Sequence, residues 1–580
     1  MKWFSPSIRR PSTQRRRGRG LRATGAGAGL LSLALSLAAC GSGEGGSEEV
    51  SLLVGSALAQ VCEEAATTIA SRRPRLEDGT VVTIRCRAAG SGDVVDELLE
   101  AARQVQNGSR PADDSTIPTL ISLDGELYHQ QLRHRMQQLE PTADWIPAIT
   151  DSPRLASSPM VFMTTAELAP GLRELSDPFT ALARASSHRE LDPGSADQPV
   201  RYVHTAPTRS NSGLQTLVAQ FVAVSGKRPE EISSADVAAH AADVAAIQTR
   251  ITRYGSSTGE LARAMVRNGP FWASIGSVYE SSVVEANAER RPDRDAMVAV
   301  YPQATYTSTM RAILPRGPWV SERERRAAEL VIEEWLSPAV QTIVARHGLR
   351  PANPAVAPEA ITRANGVDPE ARYDSLRSPV PEVVEAMISA WVQSAKKPSR
   401  VVLVVDSSGS MKGEKLPAVA SSLDRYFRRL GPREQVAVID FDNRIQPPVL
   451  VDGSEAGQAR GRAFLAALKA DGGTHLYDAV LSGRDWLLKH GQPEEILAVV
   501  VLTDGFDKGS RLSLEALNQQ LAASGFEGDE RIAVFAVGYG EAGSFDEAVL
   551  RSLAEGNGGE YKEGQSTTIR RLMDELQLAF

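Results

Sequence analysis

Long apolar runs alternate with helical patterns in the last third of the chain. Segments such as "VVLVVD" (401–406) and "ILAVVVLTD" (496–504) are apolar at nearly every position, and amphipathic stretches separate them. Strands that are apolar on both faces are typical of a parallel sheet covered by helices on each side. The pattern therefore predicts an α/β domain from about residue 399 to 580. In such sheets, functional groups gather at the carboxyl ends of the strands.

Shorter apolar strands alternate with helical patterns from Val50 to about Gly348, which predicts a second α/β region. Two buried strand patterns, at 158–165 and 295–303, stand where the chain could cross between two lobes. This arrangement resembles the type 2 periplasmic solute-binding proteins, in which one lobe interrupts the other and a ligand lies in the cleft. The resemblance implies a cleft that holds a small solute or an anion, without identifying that ligand.

Two turns of this region carry candidate ligand contacts. The segments "AGSGD" (89–93) and "TRSNSG" (208–213) each place hydroxyl groups and backbone N–H groups at the start of a helix. Such helix N-termini favour anions. The candidate contacts for a cleft ligand are Ser91, Ser210, Asn211 and Ser212. Plain helix capping is the alternative explanation for each of them.

A proline-rich stretch separates the two predicted α/β regions of the chain. Residues 351–380 are rich in proline and weakly periodic, which is typical of a linker. We therefore predict a signal peptide at 1–39, a flexible tether at 40–49, a two-lobed domain at 50–350, a linker at 351–380, and a C-terminal domain with a leading helix at 381–580.

The first forty residues have the pattern of an export signal. Eight basic residues and no acid precede Cys40, and the short apolar stretch 26–39 leads directly to it. This stretch is typical of a secretory signal and short for a membrane span. The ending "LAAC" resembles the bacterial lipoprotein box, which implies acylation of Cys40, palmitate being one such acyl chain, and an extracytoplasmic lipid anchor at the cell membrane, periplasmic or on the cell surface. The alternative is an ordinary signal peptide with an incidental cysteine.

The net charge of the chain bears on its possible partners, and its cysteines bear on the cellular compartment. Beyond Cys40, 56 basic residues stand against 72 acidic ones, a net charge of −16 that disfavours nucleic acid as a partner. The two remaining cysteines, Cys62 and Cys86, fall in the first turns of a predicted helix and near the end of the following strand. A β-α-β unit brings these positions together, so we expect a disulfide in an oxidising compartment. Two free buried thiols are the alternative.

Five oxygen-bearing side chains fall where strands of the C-terminal domain end. Asp406, Ser408 and Ser410 follow the first strand, Thr474 precedes a helix, and Asp504 ends the strand "ILAVVVLTD". Hydroxyl and carboxylate oxygens suit Mg²⁺ or Mn²⁺, whereas the absence of His and Cys from the set argues against Zn²⁺. The sequence therefore predicts a magnesium or manganese site. The alternative is a capped strand-to-helix turn that holds no metal.

These five residues resemble the metal-ion-dependent adhesion site of von Willebrand factor A domains, and the stretch 399–580 resembles that Rossmann-like fold. The resemblance implies that Ser408, Ser410 and Thr474 ligate the metal directly. It implies that Asp406 and Asp504 act directly or through water, and that an Asp or Glu of a partner protein completes the coordination.

Together, these features predict a membrane-anchored lipoprotein that binds a partner protein through a divalent metal. The solute-binding-like domain would serve as a sensor or a scaffold. The alternative is the substrate-binding receptor of an ABC-type transport system with an accessory metal-binding domain. The sequence contains no H-E-x-x-H and no G-x-x-x-x-G-K-[ST] motif. We therefore expect a binding protein and not an enzyme.

Overall fold

A computed structural model describes residues 46–524, 532–540 and 543–580 of the chain. The predicted signal peptide at 1–39, the predicted lipidation site Cys40 and the first part of the tether lie outside these ranges. Within the described ranges, every helix is too short or too polar to cross a membrane.

The first lobe is built on a parallel sheet in the order β2-β1-β3. The second half of its central strand is buried because alternate side chains face helices on both sides. The elements of this lobe are β1 (Ser47–Gly55), α1 (Ala59–Arg72), β2 (Val81–Ala89), α2 (Ser91–Gln106), β3 (Leu120–Ser122) and α3 (Glu126–Leu139).

The second lobe is built on a mixed sheet in the order β10-β4-β7-β5-β6, with β8 also beside β4. Its elements are β4 (Arg154–Thr165), α4 (Ala169–Glu174), α5 (Pro178–Arg184), α6 (His188–Leu191), β5 (Tyr202–Thr205), α7 (Asn211–Ser225), α8 (Ser234–Gln248), β6 (Ile251–Gly255), α9 (Thr258–Asn268), β7 (Ile275–Tyr279), α10 (Glu280–Ala288), β8 (Met297–Val300), β9 (Ala304–Thr305) and β10 (Thr307–Arg311). The chain leaves the first lobe along β4 and returns along β10, which pairs with it in antiparallel fashion. The return strand thus follows the predicted segment 295–303.

The chain then completes the first lobe and passes toward the C-terminal domain. The elements are α11 (Glu322–Trp335), α12 (Pro338–Arg346), β11 (Arg350–Pro351), β12 (Asp374–Ser375) and α13 (Pro381–Ala390). Two short strands of the predicted linker pair with the second lobe, β11 with β4 and β12 with β9. Helix α13 packs on α3, α7 and α8, and Trp391 Nε1–H donates to Gln248 Oε1 at 3.3 Å. The leading helix therefore contacts the lobes.

The C-terminal domain has the predicted sheet between helices. Its elements are β13 (Ser399–Asp406), α14 (Lys415–Arg428), β14 (Glu434–Phe441), β15 (Val449–Asp452), α15 (Glu455–Ala467), α16 (Leu476–His490), β16 (Ile496–Thr503), α17 (Leu514–Ala523), β17 (Ile532–Tyr539), α18 (Glu547–Glu555), β18 (Gly558–Gly564) and α19 (Ile569–Gln577). The strand order is β15-β14-β13-β16-β17-β18, parallel except for β15 at one edge. Each residue of β17 is buried, as its apolar run predicts.

The C-terminal domain rests on the second lobe through the amino-terminal edge of its sheet. Lys397, just before β13, donates its backbone N–H to Tyr254 Oη at 3.0 Å. Trp272 Nε1–H donates to the carbonyl of Gly558, the first residue of β18, at 2.9 Å. The eight residues of β13 span about 25 Å. The opposite, carboxyl-terminal edge therefore lies far from this contact.

Cys62 of α1 and Cys86 of β2 form a disulfide, which confirms the predicted pairing. Their Cα atoms lie 6.0 Å apart, within the range that a disulfide requires. The bond ties the helix that covers the first lobe to the outer strand of its sheet. It therefore closes a loop that the unfolded chain would otherwise leave free.

We predict that replacing both cysteines, Cys62→Ala with Cys86→Ala, lowers the free energy of unfolding of the first lobe by about 3 kcal/mol, because the unfolded chain regains the closed loop's entropy. Denaturant unfolding with and without a reductant measures the effect. Reductant should destabilise the wild type and leave the double variant unchanged. An equal response of both proteins to reductant would contradict the prediction.

Candidate metal centre

Three loops meet at the carboxyl-terminal edge of the C-terminal sheet. Strands β13 and β16 are neighbours in parallel register, with Val405 opposite Leu502, so Asp406 and Asp504 emerge from adjacent strand ends. The loop that carries Thr474 is tied to both of them. Gly409 N–H donates to the Gly472 carbonyl at 3.2 Å, and Lys508 N–H donates to the Thr474 carbonyl at 2.7 Å. Backbone hydrogen bonds therefore fix the loops before any side chain contributes.

The predicted ligand side chains lie together at this edge. Ser408 Oγ lies 2.9 Å from Ser410 Oγ, and the Ser410 hydroxyl donates to Asp504 Oδ1 at 2.7 Å. A β-carbon at Gly505 would lie 3.5 Å from Thr474 Oγ1 and 3.6 Å from Ser410 Oγ, so both hydroxyls border the same small space. A glycine after Asp504 leaves that space open.

Asp406 forms the floor of this cluster. Its Oδ1 accepts the Ser408 backbone N–H at 2.8 Å, and its Oδ2 accepts the Thr503 hydroxyl at 2.5 Å. Burial raises the pKa of the Asp406 carboxyl, although the hydrogen bonds from Thr503 and Ser408 lower it, and the nearby Asp504 charge raises it further. The two carboxyl groups thus need a nearby positive charge when both are ionised.

The cluster borders solvent at Ser410. Asp406, Ser408, Thr474 and Asp504 are buried, whereas Ser410 is exposed. A cation held here would therefore be reached from the side of Ser410. Two carboxylates and three hydroxyls are hard oxygen donors of the kind that Mg²⁺ and Mn²⁺ prefer. The residues present fit a divalent cation of this class.

Two contacts at the cluster were not anticipated from the sequence. Lys415, the first residue of α14, donates from Nζ to Asp504 Oδ2 at 2.5 Å. Thr503, buried at the end of β16, donates to Asp406. The adjacency of Thr503 to Asp504 was a usable signal for its position. No local pattern indicates the Lys415 contact, because eighty-eight residues separate the pair along the chain.

The predicted cleft residues occupy the junction of the two lobes, where all of them are buried. Ser91 of the first lobe accepts the Asp124 backbone N–H at 3.1 Å. Asn211 of the second lobe donates from Nδ2 to the Asp124 carbonyl at 3.2 Å. Ser210 and Ser212 lie 3.1 Å apart, within a hydroxyl cluster of the second lobe. Ser91 and Asn211 thus meet at Asp124, whereas Ser210 and Ser212 bond within their own lobe.

Asp124 is a buried acid that sequence reasoning missed. Its carboxylate accepts the Ala57 backbone N–H at 3.2 Å and the Ser56 hydroxyl at 3.4 Å. Burial nevertheless raises the pKa of the Asp124 carboxyl to about 7. Direct bonds also cross the lobes nearby, because Gly92 N–H donates to the Arg209 carbonyl at 2.8 Å. The lobes therefore touch around this acid.

Comparison with known proteins identifies the C-terminal domain. Residues 401–506 match the von Willebrand factor type A domain family. Inter-alpha-trypsin inhibitor heavy chain H4 from Homo sapiens is 32% identical over 171 residues, which cover 28% of this chain and 18% of that protein. The chain thus spans about a fifth of the length of the curated relatives it matches first. The predicted α/β class with a Rossmann-like von Willebrand factor A domain is confirmed.

Two solved structures resemble parts of the chain. Proximal thread matrix protein 1 from the mussel byssus, with a zinc-occupied metal-ion-dependent adhesion motif, has a TM-score of 0.26 and 17% identity, covering 35% of this chain and 52% of that one. A phosphate ABC transporter substrate-binding protein from Clostridium perfringens, with bound phosphate, has a TM-score of 0.32 and 14% identity. The match covers 52% of this chain and 99% of the chain of that protein.

We predict that Asp124→Asn removes a pH dependence of stability. The raised pKa means that the folded wild type keeps a proton that the unfolded chain releases, so wild-type stability falls as pH rises from about 4 to about 7. Asparagine stays neutral and keeps an oxygen for the Ala57 N–H. The variant should equal the wild type near pH 4 and exceed it at pH 8 by on the order of 4 kcal/mol.

Urea unfolding of both proteins across this pH range measures the difference between their free energies. Comparison with the variant cancels the other titrating groups, which the two proteins share. A difference that stays constant with pH would show that Asp124 is ionised at the same pH in both states.

Proposed function

We propose that the chain binds a partner protein through a divalent cation at Asp406, Ser408, Ser410, Thr474 and Asp504. The observation that carries this proposal is the meeting of these side chains at one sheet edge, with Ser410 on the exposed side. The likeness of the C-terminal domain to von Willebrand factor A domains supports it. Binding, and not catalysis, is the role we propose.

Mg²⁺ or Mn²⁺ is the cation that this donor set favours. When bound, the ion would supply an electrophilic centre for an anionic oxygen. Three of the five donors are neutral hydroxyls, so the ion would keep much of its positive charge. The Asp406 and Ser408 contacts hold the first loop in place, and the exposed side at Ser410 leaves room for an Asp or Glu of the partner protein.

The surface beside the cluster suits a protein partner. Phe506, two residues after Asp504, is one of the large apolar side chains that remain exposed. Its loop is fixed, because Lys508 N–H bonds to the Thr474 carbonyl and the Ser510 hydroxyl donates to Asp507 Oδ1 at 2.5 Å. Aromatic side chains are enriched at the centres of protein interfaces.

The two-lobed region would serve as a scaffold or a sensor for this binding domain. It holds the amino-terminal edge of the sheet through Tyr254 and Trp272, which leaves the carboxyl-terminal edge free for the partner. The disulfide between Cys62 and Cys86 supports an oxidising, extracytoplasmic compartment. A lipid anchor at Cys40 would then hold the whole chain at a membrane.

A second candidate function is that of a solute receptor for an ABC-type transport system. The buried acid Asp124, with Ser91 and Asn211 around it at the lobe junction, favours this candidate. Thermal shift of the full chain with a panel of small anions and metabolites tests it. A stabilising solute whose effect is lost in Ser91→Ala would support a receptor, and no stabilisation by any solute would count against one.

We predict that Asp504→Asn weakens Mg²⁺ and Mn²⁺ binding about tenfold or more, because it removes one of the two carboxylates of the site. Isothermal titration of the chain from Cys40 onward, called the mature chain below, measures the affinity. Asp485→Ala is the matched control, since Asp485 is an exposed acid of α16 in the same domain. Equal affinities for wild type and Asp504→Asn would contradict the proposed site.

We also predict that partner capture depends on the metal. The chain from Cys40 onward should retain a partner protein from a membrane extract in MgCl₂ and release it in EDTA, because the partner's carboxylate would bind the ion directly. Asp504→Asn should retain much less of that protein, and Asp485→Ala should behave as wild type. Retention of the same protein in EDTA would show that the metal is not the point of contact.

A further inference from the structure

The Lys415 ammonium group forms an ion pair with one carboxylate oxygen of the fully buried Asp504. Its Nζ lies 2.5 Å from Asp504 Oδ2, while the other oxygen of Asp504 accepts the Ser410 hydroxyl. The Asp504 side chain has no exposed surface, whereas Lys415 retains 32% exposure. A buried carboxylate requires a positive partner, and the ammonium provides one. Both oxygens of a predicted metal ligand are thus engaged by the chain itself.

The position of Lys415 is not explained by its own helix. It is the first residue of α14, and the first turn of that helix holds no acidic side chain. The N-terminus of a helix carries partial positive charge, so a lysine in the first turn is electrostatically unfavourable for the helix. The contact with Asp504 offsets this cost. Lys415 therefore stabilises the Asp504 carboxylate and does not stabilise its own helix.

We propose that Lys415 is an internal cation that holds Asp504 in the absence of metal and leaves it when a divalent ion binds. This inference rests on the proposed metal site. An ion that ligates Asp504 would meet a like charge a few ångströms away, and such repulsion opposes binding. The partly exposed, flexible lysine stem gives the ammonium a route to solvent. Metal binding at this site is then an exchange of one cation for another.

The exchange predicts that removing the charge of Lys415 lowers the stability of the metal-free protein and raises its affinity for metal. Lys415→Met keeps most of the length of the side chain and removes its charge. Without metal, Asp504 would lose its counter-charge, so the variant should unfold at a lower temperature in EDTA than the wild type. With metal, the competing charge is gone, so the variant should bind Mg²⁺ and Mn²⁺ about tenfold more tightly, or about 1.4 kcal/mol. A lysine that only supports the fold would lower stability without tightening metal binding.

Isothermal titration of the mature chain with MgCl₂ and MnCl₂, together with thermal unfolding in EDTA, tests the proposal. Lys415→Arg, which keeps the charge, should remain close to wild type in metal affinity. Lys412→Met is the matched control, because Lys412 is an exposed lysine three residues earlier. Its affinity should stay within about twofold of wild type, a difference of about 0.4 kcal/mol. Lys415→Gln serves as a second neutral variant if the methionine variant folds poorly.

The outcomes separate this proposal from the metal site itself. Tighter binding by the neutral variants, with wild type binding more weakly or not at all, supports the exchange. Wild-type binding that is not tightened in either neutral variant overturns the role of Lys415 and leaves the metal site intact. An absence of binding in wild type and neutral variants alike overturns both.

Discussion

The structure of the candidate site depends on the burial of two carboxyl groups at the ends of adjacent parallel strands. Asp406 and Asp504 are brought close by the register of β13 and β16 and are both withdrawn from water. Buried carboxylates are stable only with hydrogen bonds and positive charge nearby. Thr503 and the Ser408 backbone supply hydrogen bonds to one of them, and Lys415 supplies a charge to the other. Together with the neighbouring hydroxyls, the two carboxyl groups form an oxygen donor set of the kind that suits a divalent cation.

The second lobe contacts the C-terminal domain at the edge opposite to this one. The second lobe holds the opposite edge of the sheet through Tyr254 and Trp272, and α13 fastens the connection by packing on helices of both lobes. The two lobes are joined to each other by direct bonds around Asp124. The acid there is neutral or charged within the physiological range, since burial raises its pKa to about 7. The lobe junction is thus sensitive to the charge of one group.

The sequence was sufficient for the framework of the C-terminal domain. Apolar runs such as "VVLVVD" and "ILAVVVLTD" mark strands buried on both faces, and a parallel arrangement places their ends at one edge. That reasoning alone groups Asp406, Ser408, Ser410, Thr474 and Asp504 at one edge of the sheet. The same logic paired Cys62 with Cys86, because a β-α-β unit has short and regular connections.

Other features were decided by the tertiary structure alone. A lysine at the start of α14 has many possible partners, and only the packing of that helix against the end of β16 brings Lys415 to Asp504. The acid Asp124 follows an ordinary short strand, and only tertiary contacts with Ala57 of its own lobe and Asn211 of the second lobe bury it. The stretch before β13 has the composition of a linker with a helix, yet contacts made with α3, α7 and α8 place it on the lobes. Local patterns encode strands and their ends through periodicity, whereas contacts between distant elements depend on shape and charge that no local stretch contains.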